Sequence, residues 1–282
     1  MTTWILTCSV CGRQEAQQAA VGLCPVCAQP YLVRLTSTPP RRQDIVNRWD
    51  MWRYLAAMPL APGEEPVSLG EGMTPLIDHP GLAKAAGVRR LWVKDEGVNP
   101  TASFKARGLS AAVTRARTRG VPGLVVPTAG NAGAALAAYG AAAGMPVRVY
   151  APATTPRPIL DTIRAMGVEL VTIDGHIGDA GKLSAQFAQD SGFFTVATLR
   201  EPYRVEGNKT LGLELAEQLH RHVALELAAA AYAVLLPWLA PAIEAPVGAS
   251  LRGLGPGVGF HAAAFGLALL ALAPSAVALG AG

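Results

Sequence analysis

The sequence predicts an α/β protein built on a doubly wound parallel sheet, with a small cysteine-rich ribbon in front of it. Three observations carry that prediction. Apolar β-type runs alternate with alanine-rich helical runs from about residue 91 to 219, separated by glycine-marked turns. Two CxxC pairs fall within the first 27 residues. The 282-residue chain is 51% hydrophobic, enough for a sizeable core and against intrinsic disorder.

Charge and the opening residues narrow the classes. The formal charge of +4 comes from scattered arginines with no basic block of five or more, so nucleic acid is not an expected partner. The start, Met1 to Thr7, has no basic flank and no apolar run of signal-peptide length, and the expected location is the cytoplasm.

The elements follow in order. Cys8-Ser9-Val10-Cys11 and Cys24-Pro25-Val26-Cys27 precede the strand-like Tyr31 to Leu35. Each two-residue gap lets a tight turn aim both sulfurs at one point, so Cys8, Cys11, Cys24 and Cys27 are expected to hold one tetrahedral Zn²⁺. Four thiolates leave no open coordination position, which makes that zinc structural. A ribbon over 1–35 is therefore expected, and such ribbons also serve as nucleic-acid or protein contacts. Residues 36 to 90 mix prolines, glycines and short helical stretches, with Trp49, Trp52 and Tyr54 read as a packing surface. Strands are expected at Leu91 to Lys94, Gly123 to Pro127, Val147 to Ala151, Val168 to Ile173 and Phe193 to Ala197. Helices are expected near 105–118, 131–143, 156–166, 178–190 and 208–219. Sheets of this kind bind ligands at the carboxyl ends of their strands, where the next helix presents free N–H groups.

Two turns carry the chemistry. In Lys94-Asp95-Glu96-Gly97-Val98-Asn99-Pro100-Thr101-Ala102-Ser103-Phe104-Lys105-Ala106-Arg107-Gly108 a strand passes through an Asn-Pro turn into a helix. Ser103 is placed to cap that helix, and Lys105 falls in its first turn. There the helix dipole and partial burial favour the neutral amine that Schiff-base chemistry needs. Taken alone, a lysine near a helix start is more often an ordinary surface charge. The second turn, Thr128-Ala129-Gly130-Asn131-Ala132-Gly133, joins a strand to an alanine-rich helix. Its N–H groups suit an anion, and Asn131 offers an amide to a ring hydroxyl; a tight turn or a nucleotide-binding turn are the alternatives.

Together these stretches resemble threonine synthases and related fold-type II pyridoxal-phosphate enzymes. Lys94 to Gly108 is similar to the family's K-D-E-x-x-N-P-T-x-S-F-K-x-R-G signature, which implies that Lys105 is the catalytic, cofactor-binding lysine. The turn Thr128 to Gly133 resembles the substrate-carboxylate loop, implying Thr128 and Gly130 as substrate contacts and Asn131 beside the cofactor's 3-hydroxyl. Leu69 to Leu76 and Glu201 to Thr210 are also family-like, as is an N-terminal zinc ribbon, so the likeness covers roughly residues 1 to 219. It implies pyridoxal 5'-phosphate as cofactor and a small amino acid as substrate. The implied reaction is conversion of O-phospho-L-homoserine and water to L-threonine and phosphate, with Arg204 and Lys209 as candidates for the substrate phosphate. A β-replacement or β-elimination enzyme of the same fold is the alternative, and a non-enzymatic remnant another. A homodimer is left open.

The sequence departs from that pattern in three places. Ala106 follows the lysine where many relatives have Asp, and Ala132 follows Asn131 where many have a hydroxyl residue. After Asn208-Lys209-Thr210 no triple-glycine phosphate loop appears. The tail, 220–282, follows an expected catalytic region of 36–219. From 223 onward it holds only Glu226, Glu244 and Arg252 as charged residues, against 41 before it. The C-terminal part of the family's large domain is thus missing or replaced. A read-through such as a frameshift is favoured over an apolar tail that docks on a membrane.

Overall fold

The computed structural model describes residues 3–16, 22–37, 40–60 and 63–220. The chain divides into Met1–Leu215 and Ala216–Gly282. Apart from the helical residues 216–220, the second part lies outside the described residues, as do both readings of the tail.

Strand β1 (Trp4–Cys8) pairs antiparallel with β2 (Gln14–Glu15) on one side and β3 (Tyr31–Leu35) on the other. Its pleat turns Trp4, Leu6 and Cys8 inward. Those side chains, with Cys24 and Tyr31, join the same apolar cluster as Val67, Ala106 and Leu109, so this small sheet shares its core with the fold behind it. Short 3-10 turns at Arg42–Asp44 and Met51–Ala57 follow. The second buries Trp52 and Tyr54, as expected of a packing surface, whereas Trp49 is 75% exposed.

Next come β4 (Leu76–Asp78), α1 (Pro80–Ala85) and β5 (Trp92–Lys94). The run ending at Lys94 was expected among the strands of the parallel sheet. Instead β5 pairs antiparallel with β4 in a two-stranded sheet of its own. The reason is local: the Asp95 N–H donates to Pro75 O at 3.0 Å and Lys94 Nζ to Thr74 O at 2.6 Å, which pins the strand to the segment just before it.

Helix α2 (Lys105–Thr118) leads into β6 (Leu124–Pro127), then α3 (Asn131–Ala142), β7 (Val147–Pro152), α4 (Arg157–Ala165), β8 (Glu169–Ile173), α5 (Ile177–Ser191) and β9 (Phe194–Thr195). The four strands are parallel in the order β8-β7-β6-β9. Alternation along β6 shows the double winding: Leu124 and Val126 pack with Leu109 of α2, Leu136 of α3 and Ile163 of α4, while Val125 packs with Ala180 of α5. A last helix, α6, runs over residues 203–220. It starts five residues before the expected 208, because the Glu201 carboxylate accepts the N–H groups of Tyr203 at 2.6 Å and Arg204 at 3.1 Å and so caps it.

The crossing of α2 and α6 needs glycine on both sides. A Cβ on Gly207 would lie 2.2 Å from Arg107 O, and one on Gly108 would lie 3.1 Å from Arg204 O. The two backbones touch, which brings the first turns of both helices together.

Candidate active site and cysteine cluster

Helices α2 and α3 flank β6 in sequence, and short turns reverse the chain between them. Both therefore begin at the carboxyl end of the sheet, where α6 also begins after β9. Lys105, Asn131 and Arg204 lie in these three helix starts, the place where open α/β sheets receive ligands.

Lys105 opens α2 and is half-buried. Its Nζ sits 4.1 Å from the centroid of the Phe104 ring. Burial, and then the Arg204 guanidinium, hold its amine below the ordinary lysine value. The expected Ser103 cap is not formed. Phe104 occupies the cap position without a side-chain hydrogen bond, and the Ser103 hydroxyl points back to Thr101 O at 3.5 Å. The turn before the helix, with Ala102 at φ 52°, leaves Ser103 one residue too early to reach forward.

The second turn is shaped by Thr128. Its buried hydroxyl accepts the N–H groups of Gly130 and Gly133, each at 3.1 Å, and donates to Gly130 O at 2.8 Å. That hydroxyl is thus part of the turn's frame. Among the described residues the N–H groups of Asn131 and Ala132 have no hydrogen-bond partner, and Asn131 is exposed at the start of α3. A Cβ on Gly133 would meet Thr128 Cγ2 at 2.4 Å, which explains the small residue there.

Arg204 is 5% exposed and donates to Val196 O at 2.9 Å, so it is no ordinary surface charge. Burial holds its guanidinium below the usual arginine value. Lys209 lies farther along α6 and is paired with Glu206. An open groove of about 680 Å³ runs along α5 and reaches Pro127 at the end of β6 and Thr195, Ala197 and Thr198 at and after β9.

Sequence reasoning missed the polar framework behind these groups. Arg107 is fully buried and forks onto Glu96, with Nε and Nη2 each at 2.7 Å. Its Nη1 donates to Glu214 at 2.8 Å. Lys94 also pairs with Glu214, and the Thr74 hydroxyl donates to Glu96 at 2.7 Å. Burial pushes the Glu96 and Glu214 carboxyls up, but their partners together outweigh it, Arg107 first, with Thr74 and Asn99 at Glu96 and Lys94 at Glu214, and leave both below the usual range. Another buried carboxylate, Glu71, accepts from Trp52 Nε1 at 2.9 Å and from the Tyr139 hydroxyl at 2.7 Å. Lys94, Glu96 and Arg107 all lie in the signature, but Glu214 has no local signal that would name it as their partner.

The four cysteine sulfurs lie within 4.8 Å of one another. Cys8 and Cys27 are 3.4 Å apart, and Cys11 and Cys24 3.6 Å. Burial pushes the Cys24 thiol up, but the N–H groups of Val26 and Cys27 and the neighbouring thiols outweigh it, lowering it to about 6. The hydrogen bond with Cys8, then burial, pushes Cys27 up to about 12. Crowded sulfurs cannot all ionise alone, and a cation between them removes that conflict. The cluster can hold a metal ion.

Residues 67–234 match the family described as pyridoxal-phosphate dependent enzyme. The chain belongs to that family. Its relatives include threonine synthase from Methanosarcina acetivorans, 33% identical over 76% of this chain and 53% of that protein. Threonine synthase from Methanocaldococcus jannaschii is 36% identical over 61% of this chain and 43% of the relative. The chain thus spans about half the length of the curated relatives it matches. Among solved structures, diaminopropionate ammonia lyase from Escherichia coli, in complex with an aminoacrylate-PLP azomethine reaction intermediate, aligns with a TM-score of 0.50 and 25% identity. That alignment covers 54% of this chain and 45% of the other.

The residues present fit the aldehyde end of the family's cofactor: a half-buried amine held below its ordinary value, with an exposed amide and two unpartnered N–H groups at the same end of the sheet. No strand followed by a triple-glycine turn occurs among the described residues to take its phosphate.

Proposed function

We propose that this pyridoxal-phosphate family member is a threonine synthase-like lyase, converting O-phospho-L-homoserine and water to L-threonine and phosphate, with Lys105 carrying the cofactor. The observation that carries the reading is the half-buried Lys105 amine at the start of α2, held below the ordinary lysine value by burial and then by the charge of Arg204. Its setting supports it, since relatives at 33% and 36% identity are threonine synthases.

Pyridoxal phosphate, when bound, supplies an electron sink for the reacting carbons. Lys105, freed when the substrate's amine takes its place, would carry protons between neighbouring carbons at its Nζ. The N–H groups at the start of α3 would hold the substrate carboxylate, framed by Thr128 and Gly130, with the Asn131 amide toward the cofactor hydroxyl. Arg204 and Lys209 are the proposed cations for the substrate phosphate, Arg204 for its fork. The four thiolates of Cys8, Cys11, Cys24 and Cys27 would hold a structural Zn²⁺.

The test uses the purified full chain titrated with pyridoxal phosphate. The expected result is a visible absorbance that borohydride removes, with the reduced adduct mapped to Lys105, followed by phosphate release from O-phosphohomoserine. Folded protein with no adduct at Lys105 sinks the reading. An adduct with pyruvate formation from serine, and no phosphate release, points to the β-elimination alternative.

A further inference from the structure

The ten residues between β5 and α2, 95–104, deliver Lys105 on a path held locally by the Gly97 N–H on Asp95 Oδ1 and Asn99 Nδ2 on Glu96 O, each at 2.9 Å, and by the Ala102 N–H on Asn99 O at 2.7 Å. They hold one short 3-10 turn, Glu96–Val98. Ala102 sits in the left-handed region at φ 52°, and the buried Thr101 hydroxyl has no partner. Such a path persists only where its surroundings impose it.

Arg107, two residues past Lys105, adds a restraint from outside the loop. Its fork grips Glu96 at the start of the loop. The same carboxylate accepts from Asn99 Nδ2 at 2.9 Å, and Asn99 Oδ1 takes the Gly72 N–H at 3.0 Å, so the grip extends to the middle of the loop. The remaining arm reaches Glu214 at 2.8 Å and Thr210 at 3.3 Å on α6. That helix also carries Arg204, whose charge acts on Lys105. One guanidinium therefore ties the start of the lysine's loop to the helix opposite. Counting Lys94 and Arg107 against Glu96 and Glu214, the cluster is neutral, so its own field on Lys105 is small and its effect runs through position. Buried ion networks of this kind contribute little net stability, and specifying geometry is their better-attested use.

We propose that Arg107 is a positioning residue for Lys105, and that its fork onto Glu96 and its reach to Glu214 hold the lysine half-buried against Phe104, within the field of Arg204. This rests on the reading of Lys105 as the cofactor lysine, but its test needs no cofactor. The five lysines of the full chain are acetylated with trace reagent across a pH series, and Lys105 labelling is followed by mass spectrometry with the exposed Lys182 as internal reference. Arg204 is the charged group that faces Lys105 among the described residues.

In the unsubstituted protein Lys105 labels at a lower pH than a lysine model peptide. In Arg107→Lys, which keeps the charge and loses the fork, the labelling midpoint moves up by about half a pH unit or more. Asn99→Ala, which leaves the charge of the cluster intact and frees the middle of the loop from Glu96 and Gly72, moves it in the same direction and serves should Arg107→Lys not fold. A purely structural role would lower the folded fraction and leave the midpoint of the folded molecules in place. Unchanged midpoints in folded variants overturn the positioning role alone. A Lys105 that labels like the model peptide in the unsubstituted protein overturns the reading of the lysine and the positioning role together.

Discussion

At the scale of single residues, Lys105 and Gly207 lie on opposite sides of the division between chemistry and packing. Lys105 is half-buried and packs on an aromatic ring. Lys105→Arg keeps the charge and most of the stem, so its melting should stay within about 1 kcal/mol of the parent. Arginine cannot form the Schiff base, and the borohydride-fixed label should vanish. A label that survives at the same yield would move the cofactor site to another lysine. Gly207→Ala should do the reverse. Its Cβ would lie 2.2 Å from a backbone oxygen that cannot rotate away, so α6 must shift from α2 at a cost of about 3 kcal/mol, read by urea unfolding. Lys105 was named through the resemblance to a family signature and the four cysteines through the spacing of two CxxC pairs; the structure half-buries the lysine and brings the four sulfurs within 4.8 Å of one another. Arg107 was not singled out, although it lies in the same signature. Its partner Glu214 is 107 residues away, and only folding reveals the pair.

At the scale of elements, four of the five expected strands lie in the parallel sheet, because continuous apolar runs bounded by glycine read as buried strands. The run at Lys94 did not, since a strand's partner is set by contacts that its own residues do not encode. The start of α6 was misplaced for a related reason. Glutamate two residues ahead of a helix is an uncommon cap, and Glu201 acts as one while fully buried. Burial pushes its carboxyl up to about 7, against the pull of the Arg204 guanidinium and the N–H groups it accepts. The folded state then holds its proton more tightly than the unfolded chain. The favourable contribution is complete below the ordinary glutamate value near 4.5 and is lost as pH rises through about 7. Glu201→Gln, which keeps an acceptor for α6 but cannot ionise, should flatten that decline. The difference in unfolding free energy between parent and variant should change by ~3 kcal/mol from pH 4.5 to 8. Parallel pH profiles would show that Glu201 does not titrate there. Glu96 and Glu214, whose values are lowered, act in a more acidic window and cancel in this comparison.

At the scale of the whole molecule, the cysteine cluster should control more than its own loops. The ribbon strands form one core with α2, because Trp4, Leu6 and Tyr31 cluster with Ala106 and Leu109. Trp4 also lies 5.0 Å from the Arg115 guanidinium, which faces Tyr203 at 5.4 Å and pairs with Glu64. A disturbance at the cysteines thus has a packed route to the first turn of α6, one residue from Arg204. Without a cation the four sulfurs cannot all be thiolates, and Cys24 and Cys27 are driven in opposite directions. Metal binding would remove that conflict, and structural thiolate sites supply on the order of 10 kcal/mol of apparent binding energy. Elemental analysis should therefore find one zinc per chain. Chelation, or Cys24→Ser, should remove it and lower the melting temperature. Trp4 is 2% exposed, and its release into water should shift the tryptophan emission to the red. The same treatment should weaken pyridoxal-phosphate labelling of Lys105, because the core that seats α2 has been opened from the far side. Metal-free protein that keeps the parent's melting, emission and labelling would reduce the ribbon to an appendage and deny this route.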